Sequence, residues 1–308
     1  MACRKRVRLR EAGGSGDWNH AARPTVPDAG RSLRRRECAR RGKAAVWLLA
    51  LLCGLMAMAP EGKAAEGADR RAAALVEWVS AESGTRLSRS SHKTDFFPLS
   101  NHFISQDNSI FCGPVSSAIV LNALRLGKRE GLPRDRSSIA EDEMAWLWKD
   151  ADPFYGKYTP SNVLNEQTKT RLEVLGKPIL IEGDPKSDYG LQLRQLAQVL
   201  RSHGLRVTAR VVDGDADAAA IRRELAANLA RPEDYVLVNY ARKALGQEGG
   251  GHISPLGAYD ASSDSFLVMD VNPNRAPWVW VGAEALIAAM RTFDTVENRG
   301  YLLVSEGE

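Results

Sequence analysis

The C-terminal part of the chain contains a close series of segments with the composition of β-strands. These segments are rich in β-branched and aromatic residues and are bounded by glycine, asparagine or aspartate. They cover residues 205–212, 235–240, 252–259, 266–271 and 301–304. Helical periodicity interrupts the series only at residues 217–230 and 282–290. Because neighbouring strands such as 252–259 and 266–271 are joined by a short turn, the sequence predicts an antiparallel sheet.

The preceding part of the chain has helical periodicity instead. The clearest helix is predicted at residues 111–126, where apolar side chains recur at spacings of three and four and Pro114 suits the first turn. Further helices are predicted at residues 69–83, 138–149, 188–203 and from residue 159 onward, and a short strand at residues 96–99. A helical half followed by a strand-rich half favours an α+β fold.

Residues 1–59 have the features of a targeting segment. Residues 44–59 carry no charge, and Arg40, Arg41 and Lys43 precede them directly. A basic region before a short apolar stretch is typical of a secretory signal, which predicts export to the periplasm. Since a spanning helix usually needs about 17–25 apolar residues, an inner-membrane anchor at residues 44–59 is the alternative. We therefore divide the chain into this segment, a linker with an N-terminal helix at residues 60–94, and a main domain at residues 95–308.

The basic charge of the chain is concentrated in the targeting segment. Residues 1–59 contain 13 lysines and arginines against 4 acidic residues, whereas the rest of the chain contains 29 basic and 34 acidic residues. A protein that binds nucleic acid keeps its positive charge in the folded part. The distribution therefore argues against nucleic acid as a partner, and it leaves the membrane as a partner only through an uncleaved N-terminal segment.

The cysteine content singles out one thiol. Three of the four cysteines, Cys3, Cys38 and Cys53, lie in the targeting segment, so a processed chain would keep Cys112 alone. Cysteines in an oxidising compartment are normally paired. A lone thiol there is either a buried small hydrophobic residue or a working nucleophile.

The position of Cys112 favours the nucleophile. It stands at the start of the predicted helix at residues 111–126, where unpaired backbone N–H groups stabilise a thiolate. A cysteine nucleophile needs a histidine base. His252 follows three glycines and opens an apolar strand, so its surroundings are open to a ligand, whereas the other histidines after residue 59 lie in loops or at a helix end.

Two further side chains complete a candidate site. Asp270 lies 18 residues after His252, at the end of the next predicted strand, so a hairpin would bring its carboxylate to the imidazole. A capping role in the turn that follows is the alternative. Gln106 lies six residues before Cys112 and can supply an amide to an oxyanion hole beside the Cys112 backbone N–H. A solvated loop residue is the alternative.

The segments around these residues resemble the phytochelatin synthase family, above all its short bacterial members. The resemblance rests on Q-x5-C-G at residues 106–113, on G-G-G-H-I-S-P-L-x-A-Y at residues 249–259, on the aspartate 18 residues after that histidine, and on R-G-Y-L-L-V at residues 299–304. It extends over most of residues 95–305 and is weaker at residues 128–205.

The resemblance implies a papain-like cysteine protease fold and a triad of Cys112, His252 and Asp270 that acts on glutathione. The thiol would cleave the Cys–Gly bond, release glycine and hold γ-glutamylcysteine as a thioester. Water would then take the acyl group, or a second glutathione would take it to give phytochelatin. The resemblance implies no cofactor bound by the protein, because a heavy-metal ion such as cadmium or zinc would enter as a glutathione thiolate complex. A homodimer is left open.

The resemblance also assigns residues around the triad. Gln106 matches the family's oxyanion residue, and Asn239 and Gly251 match substrate-binding positions. Family members usually carry an arginine three residues after the aspartate, thought to serve the acceptor substrate, where this chain has Pro273. Arg275 follows two residues later and is the remaining substrate-binding candidate. This departure, and an expected lack of the Cys-rich C-terminal domain of the plant enzymes, predict more hydrolysis than phytochelatin synthesis.

Two other functions stay open from the sequence. One is a papain-like peptidase that trims the leader peptides of bacteriocins, since residues 112–114 read C-G-P, as is common in that class. The other is a non-catalytic binding protein of the periplasm, which would be missing a triad member, whereas all three are present. A metal site is not predicted, because a single cysteine and scattered histidines lack the spacing of metal ligands.

Overall fold

Residues 75–307, the part of the chain that the computed structural model describes, form helices and antiparallel strands. The strands are β1 (Leu75–Glu77), β2 (Ile179–Ile181), β3 (Asp184–Lys186), β4 (Leu205–Val211), β5 (Asp234–Ala241), β6 (Gly251–Asp260), β7 (Ser265–Val268), β8 (Val279–Gly282) and β9 (Gly300–Glu306). The α-helices are α1 (Ala81–Arg89), α2 (Phe96–Asn101), α3 (Cys112–Arg125), α4 (Glu141–Met144), α5 (Arg171–Val174), α6 (Leu193–Ser202), α7 (Ala218–Leu229) and α8 (Ala283–Met290), and a 3-10 helix covers Arg242–Leu245.

One sheet organises the fold. Its strands run in the order β1-β8-β7-β6-β5-β9-β4, and each neighbouring pair is antiparallel. Alternate residues of a strand point to opposite faces, so Leu237 of β5 enters the core that contains α3 and α6, while Val236 and Val238 enter the core that contains α7 and α8. The predicted α+β class and the antiparallel sheet are confirmed.

Helix α3 is buried along nearly its whole length. Every residue from Gly113 to Arg125 is buried, because apolar and small side chains cover all its faces. The helix packs against β6, and the hydroxyl of Ser116 donates a hydrogen bond of 3.2 Å to the carbonyl of Ile253. This contact places the first residue of the helix, Cys112, next to the beginning of β6.

Strands β5, β6 and β7 bring together residues that are distant in sequence. In the pairing of β5 with β6, Tyr240 lies opposite His252. Beyond the end of β7, the backbone N–H of Met269 still donates to the carbonyl of Pro255 over 3.0 Å. The pairing therefore carries the next residue, Asp270, alongside the beginning of β6.

A buried ion pair holds the loop that leads into α6. Nζ of Lys169 lies 2.9 Å from Oδ2 of Asp188 and also donates to the carbonyl of Gly190 over 2.9 Å. The side-chain amides of Gln192 and Gln195 donate to the same carboxylate over 2.9 and 3.0 Å. Burial alone would raise the pKa of Asp188, but these bonds and the lysine charge lower it. The loop is therefore fixed by a fully bonded carboxylate.

Two predictions for the first elements of the described chain are wrong. Within the described residues, the helix expected at residues 69–83 is replaced by β1 and the first residues of α1. Leu75 pairs with Val281 of β8, and Ser80 begins α1 by accepting a hydrogen bond from the N–H of Ser83. The strand expected at residues 96–99 is also wrong, because α2 occupies them. Pairing with a distant strand and local capping override apolar periodicity at these positions.

The middle of the chain has less helix than its pattern predicts. Only Glu141–Met144 of the helix expected at residues 138–149 forms, as α4. No helix begins at residue 159 in this described region, where Oδ1 of Asn162 accepts a hydrogen bond of 2.8 Å from the N–H of Thr159. Such bonds compete with helix formation. The strand expected at residues 266–271 ends at Val268, and β2, β3, α5 and β8 have no counterpart among the predicted elements.

The targeting segment predicted at residues 1–59 lies outside the described residues. Between residues 75 and 307, no helix combines the length and the apolar character needed to cross a bilayer.

The buried pair of Lys169 and Asp188 should contribute strongly to stability. We expect Lys169→Met to lower the free energy of unfolding by about 3–5 kcal/mol, because it leaves a buried carboxylate without its counter-charge. Urea denaturation followed by circular dichroism measures the difference. Lys186→Met is the matched control, since Lys186 and Glu182 are exposed and 3.9 Å apart, and it should change stability by less than about 0.5 kcal/mol. Equal effects of the two substitutions would contradict the prediction.

Candidate active site

Cys112 lies at the start of α3, in the wall of a cleft of about 240 Å³. The turn before the helix is held by Asn108, whose Oδ1 accepts hydrogen bonds of 2.9 and 3.1 Å from the N–H groups of Ile110 and Phe111. The thiol is free and partly exposed. The turn therefore presents the thiol at the positive end of a buried helix, where a thiolate is stabilised.

His252 connects the thiol to a carboxylate. Its Nε2 lies 2.9 Å from Oδ1 of Asp270, and both side chains are buried. With Nε2 engaged, Nδ1 is the ring nitrogen that remains for Cys112, whose pKa responds to the nearby imidazole. The structure thus brings the three predicted residues together, and we call them the triad.

The triad shifts the pKa of each member toward the charged form. Burial alone would raise the pKa of the Cys112 thiol, but the hydrogen bond and the charge of His252 lower it. Burial alone would lower the pKa of His252, but its bonds to Asp270 and to the thiol raise it. A lowered thiol pKa beside a raised imidazole pKa favours a thiolate–imidazolium pair, the reactive form of a cysteine nucleophile.

The carboxylate of Asp270 is completely buried and has four partners. Nη2 of Arg242 lies 2.8 Å from Oδ1 and 2.7 Å from Oδ2, the hydroxyl of Tyr240 donates to Oδ2 over 3.1 Å, and the N–H of Asn272 donates to Oδ1 over 2.7 Å. Burial alone would raise the pKa of Asp270, but the bond to His252 and the charges of His252 and Arg242 lower it. The carboxylate therefore stays ionised and keeps the ring of His252 oriented.

Arg242 is a functional residue that the sequence did not reveal. Its side chain is buried, its N–H donates to the carbonyl of Gly250 over 3.0 Å, and a Cβ on Gly249 would lie 3.1 Å from its Cδ. Gly249 also has φ +112°, a conformation that favours glycine. Arg242 therefore joins the glycine loop before His252 to the carboxylate behind it. The signal for it was an arginine directly after a fully buried strand.

Gln106 and Arg275 lie beside the cleft rather than in it. The backbone N–H of Gln106 donates to Val271 over 2.8 Å, its Nε2 donates to the carbonyl of Asn108, and its Oε1 is buried without a partner in the described chain. Arg275 is half exposed and lies 3.8 Å from the exposed carboxylate of Glu248. Both residues line a separate cavity of about 210 Å³. The oxyanion role of Gln106 stays a prediction.

Asn239 and Gly251, the other predicted substrate residues, line the cleft together with Asp294. Nδ2 of Asn239 donates to Oδ2 of Asp294 over 3.1 Å, and Nη2 of Arg299 donates to Oδ1 over 2.8 Å. The guanidinium of Arg299 also approaches Gly251 so closely that a Cβ there would lie 2.8 Å from Nη2. Asp294 and Arg299 were missed, because only the fold brings their segment to the cleft.

This arrangement can support acyl transfer through a thiolate, since it combines a nucleophile, a base and a carboxylate that orients the base. No group of three or more histidine, cysteine, aspartate or glutamate side chains within residues 75–307 is arranged to hold a metal ion. What the described part of the site offers is therefore a nucleophile and polar binding groups.

Comparison with known proteins identifies the family. The family model for phytochelatin synthase matches residues 70–140 and 151–301, which is more than half of the chain. The chain belongs to the phytochelatin synthase family. A glutathione gamma-glutamylcysteinyltransferase of Schizosaccharomyces pombe is 24% identical to it over 212 residues, covering 68% of this chain and 43% of that protein.

Two further curated relatives match the chain with similar identity and coverage. Glutathione gamma-glutamylcysteinyltransferase 2 of Arabidopsis thaliana is 27% identical over 215 residues, covering 68% of this chain and 39% of that protein. Glutathione gamma-glutamylcysteinyltransferase 1 of Triticum aestivum is 29% identical over 239 residues, covering 75% of this chain and 40% of that protein. The chain thus spans about two fifths of the length of the curated relatives it matches.

The lowered pKa of Cys112 predicts that this thiol reacts at lower pH than an ordinary thiol does. A thiol with an ordinary pKa loses its thiolate below about pH 8.5. Since the pKa of Cys112 is lowered, we expect its alkylation by iodoacetamide, followed by mass spectrometry between pH 5 and pH 9, to persist at lower pH.

The control for this prediction is His252→Ala, which removes the cause of the lowered pKa. Burial is then opposed only by the backbone hydrogen bonds of Gly113 and Ile253, so the pH dependence of alkylation should move to higher pH. A folded His252→Ala variant with the same pH profile as the wild type would show that His252 does not control the thiol.

Proposed function

We propose that the protein has a papain-like fold and is a cysteine-dependent enzyme that takes glutathione as its acyl donor. The observation that carries the proposal is the triad of Cys112, His252 and Asp270 at the wall of a polar cleft. The proposal is supported by relatives that are named glutathione gamma-glutamylcysteinyltransferase. A nucleophile at the N-terminus of a buried helix, packed on the strand that carries the base, supports the papain-like arrangement.

The first half-reaction forms a thioester. The thiolate of Cys112 attacks the carbonyl carbon of the Cys–Gly bond, and the electron pair of the carbonyl moves to its oxygen. When the tetrahedral intermediate collapses, the imidazolium of His252 donates its Nδ1 proton to the glycine nitrogen, the C–N bond breaks and glycine leaves. Asp270 stabilises the imidazolium and holds the ring in position.

The second half-reaction regenerates the thiol. The neutral imidazole of His252 takes a proton from water as its oxygen attacks the thioester carbonyl. The C–S bond then breaks, γ-glutamylcysteine leaves, and the proton returns to the sulfur of Cys112. The backbone N–H of Cys112 and the amide of Gln106 are the donors for both oxyanions, and each such donor is worth about 2.7–4 kcal/mol. Nε2 of Gln106 has two N–H groups, and its bond to Asn108 uses one of them.

The cleft offers groups that suit the γ-glutamyl end of the donor. That end carries an ammonium and a carboxylate. The carboxylate of Asp294 can accept from the ammonium, while Asn239 and the backbone at Gly251 can bind the substrate's carboxylate and peptide groups. Arg299 holds Asp294 on one side and Asn239 holds it on the other. The carboxylate that would bind the ammonium is therefore fixed before the substrate binds.

Transfer to a second glutathione is the second candidate reaction. A groove of about 800 Å³ borders Phe111, the residue before the nucleophile, and its lining includes Lys157 and Arg171. These cations can bind the carboxylates of an acceptor peptide. The same groove is lined by Pro273, where the resemblance leads one to expect an arginine. We therefore propose hydrolysis as the main reaction and transfer as the minor one.

Three further aspects belong to this proposal. A heavy-metal ion would reach the site as part of the substrate, as a thiolate complex of glutathione. Export to the periplasm would follow from residues 1–59, with membrane anchoring as the alternative. A homodimer is compatible both with export to the periplasm and with membrane anchoring.

The acyl-enzyme is the intermediate to test. Protein incubated with glutathione should show a mass increase on Cys112 that matches γ-glutamylcysteine, together with free glycine, because the thioester forms as glycine leaves. Intact and peptide mass spectrometry measure both products. Cys112→Ala should lose both. A folded wild-type protein that gives neither adduct nor glycine, but cleaves a bacteriocin leader peptide, would support the peptidase alternative instead.

The fate of the thioester distinguishes the two reactions. With glutathione as donor, we expect γ-glutamylcysteine to exceed phytochelatin, as measured by liquid chromatography, because Pro273 offers no charge to an acceptor. Pro273→Arg should raise the share of phytochelatin several-fold, whereas Pro185→Arg, at an exposed strand position, should not. Wild-type protein that produces phytochelatin faster than γ-glutamylcysteine would contradict this ranking.

A further inference from the structure

A second polar cavity adjoins the catalytic cleft. It has a volume of about 210 Å³, and every side chain in its lining is polar, among them Gln106, Asn272, Asn274 and Arg275. We call it the Arg275 cavity. Ser109 lines both this cavity and the cleft. The two spaces therefore meet at the segment just before the nucleophile.

The Arg275 cavity is separate from the groups that suit the acyl part of the donor. The cleft groups that suit the acyl part of the donor, Asn239 and Asp294, do not line it. Its walls come instead from the residues just before Cys112 and from those just after Asp270. A peptide whose acyl part fills the cleft, and whose carbonyl meets the thiol, can direct its C-terminal residue toward the adjoining cavity.

The cation of the cavity suits a carboxylate, and its free amide oxygen suits an N–H group. Arg275 is its cation, and its ion pair with Glu248 is loose, because the atoms are 3.8 Å apart and the glutamate side chain is 89% exposed. Asp107 is the single acidic residue in the lining. Gln106 is 97% buried there, and its Oε1 lacks a hydrogen-bond partner in the described chain. An unused amide oxygen accepts a hydrogen bond, so it suits an N–H group of a ligand, such as the peptide N–H of the residue that leaves.

We propose that the Arg275 cavity binds the terminal carboxylate of the residue that leaves, so that the enzyme selects donors with a free C-terminal α-carboxylate. This inference rests on the proposed function, because it needs Cys112 to be acylated by a peptide. Arg275 forms the ion pair with that carboxylate, and the amide groups of Asn272 and Asn274 provide hydrogen bonds. The cavity thus determines specificity on the side of the bond opposite to Asp294.

The test compares two donors that deliver the same acyl group. Glutathione and its glycine ethyl ester both leave γ-glutamylcysteine on Cys112, so the adduct measured by mass spectrometry is identical. The rate of acylation at low donor concentration is measured for each, and the ratio of the two rates is compared between protein variants. Comparing ratios cancels the intrinsic difference in reactivity between acid and ester.

We expect Arg275→Gln to lower the ratio of glutathione to ester about tenfold, the scale of one hydrogen bond to a charged group. The rate with the ester should barely change, and Arg275→Lys should restore part of the ratio. Arg223→Gln is the matched control, since Arg223 is exposed and also lies 3.8 Å from a carboxylate, that of Asp217; its ratio should equal that of the wild type.

The two proposals fail in different ways. If glutathione acylates Cys112 and Arg275→Gln leaves the ratio unchanged, the role of the cavity is wrong and the proposed function stands. If neither donor acylates folded wild-type protein, the proposed function is wrong, and the role of the cavity falls with it.

Discussion

The buried carboxylate of Asp270 is the charge on which the site depends. A carboxylate without contact to water is costly unless it is fully bonded, and here the imidazole, a guanidinium, a phenol and a backbone amide surround it. Each of these partners is delivered by a different piece of the sheet or its loops. The sheet register, the glycine loop and the turn after β7 must therefore all be correct before the carboxylate is stable. The contacts that stabilise the buried carboxylate also orient His252.

The residues of the triad and much of the architecture could be predicted from the sequence. Helix α3 has an apolar pattern that tertiary contacts do not oppose, since it is buried on every side. Strand β6 is an uninterrupted run of buried residues after three glycines. Both the strand and the open backbone in front of His252 could therefore be predicted from the sequence. The neighbourhood of Asp270 followed from the hairpin, because a turn of four residues fixes the pairing of β6 and β7 next to it, although the register then shifts between Leu256 and Ala258.

Other parts depend on contacts between distant segments and could not be predicted. Three residues at 75–77 become a strand only because β8 is there to pair with them. Arg242 and Asp294 act through partners 28 and 55 residues away, so their local sequence does not show which residues they contact. The two matched stretches of the family model leave out residues 141–150, which contain α4 and the exposed side chains of Trp146 and Trp148. None of the residues in that segment belongs to the two hydrophobic cores on the faces of the sheet. Neither an apolar pattern nor the match to the family therefore constrains a structural prediction for it.

The burial of α3 has a consequence for how the protein loses its reactivity. A helix enclosed by the core on all sides cannot open by itself, because its amide hydrogens become accessible only when the surrounding layers separate. The nucleophile is part of that helix, and its base is on the strand packed against it. Deuterium uptake by α3 and loss of thiol reactivity on heating should therefore follow the same transition as cooperative melting of the whole molecule.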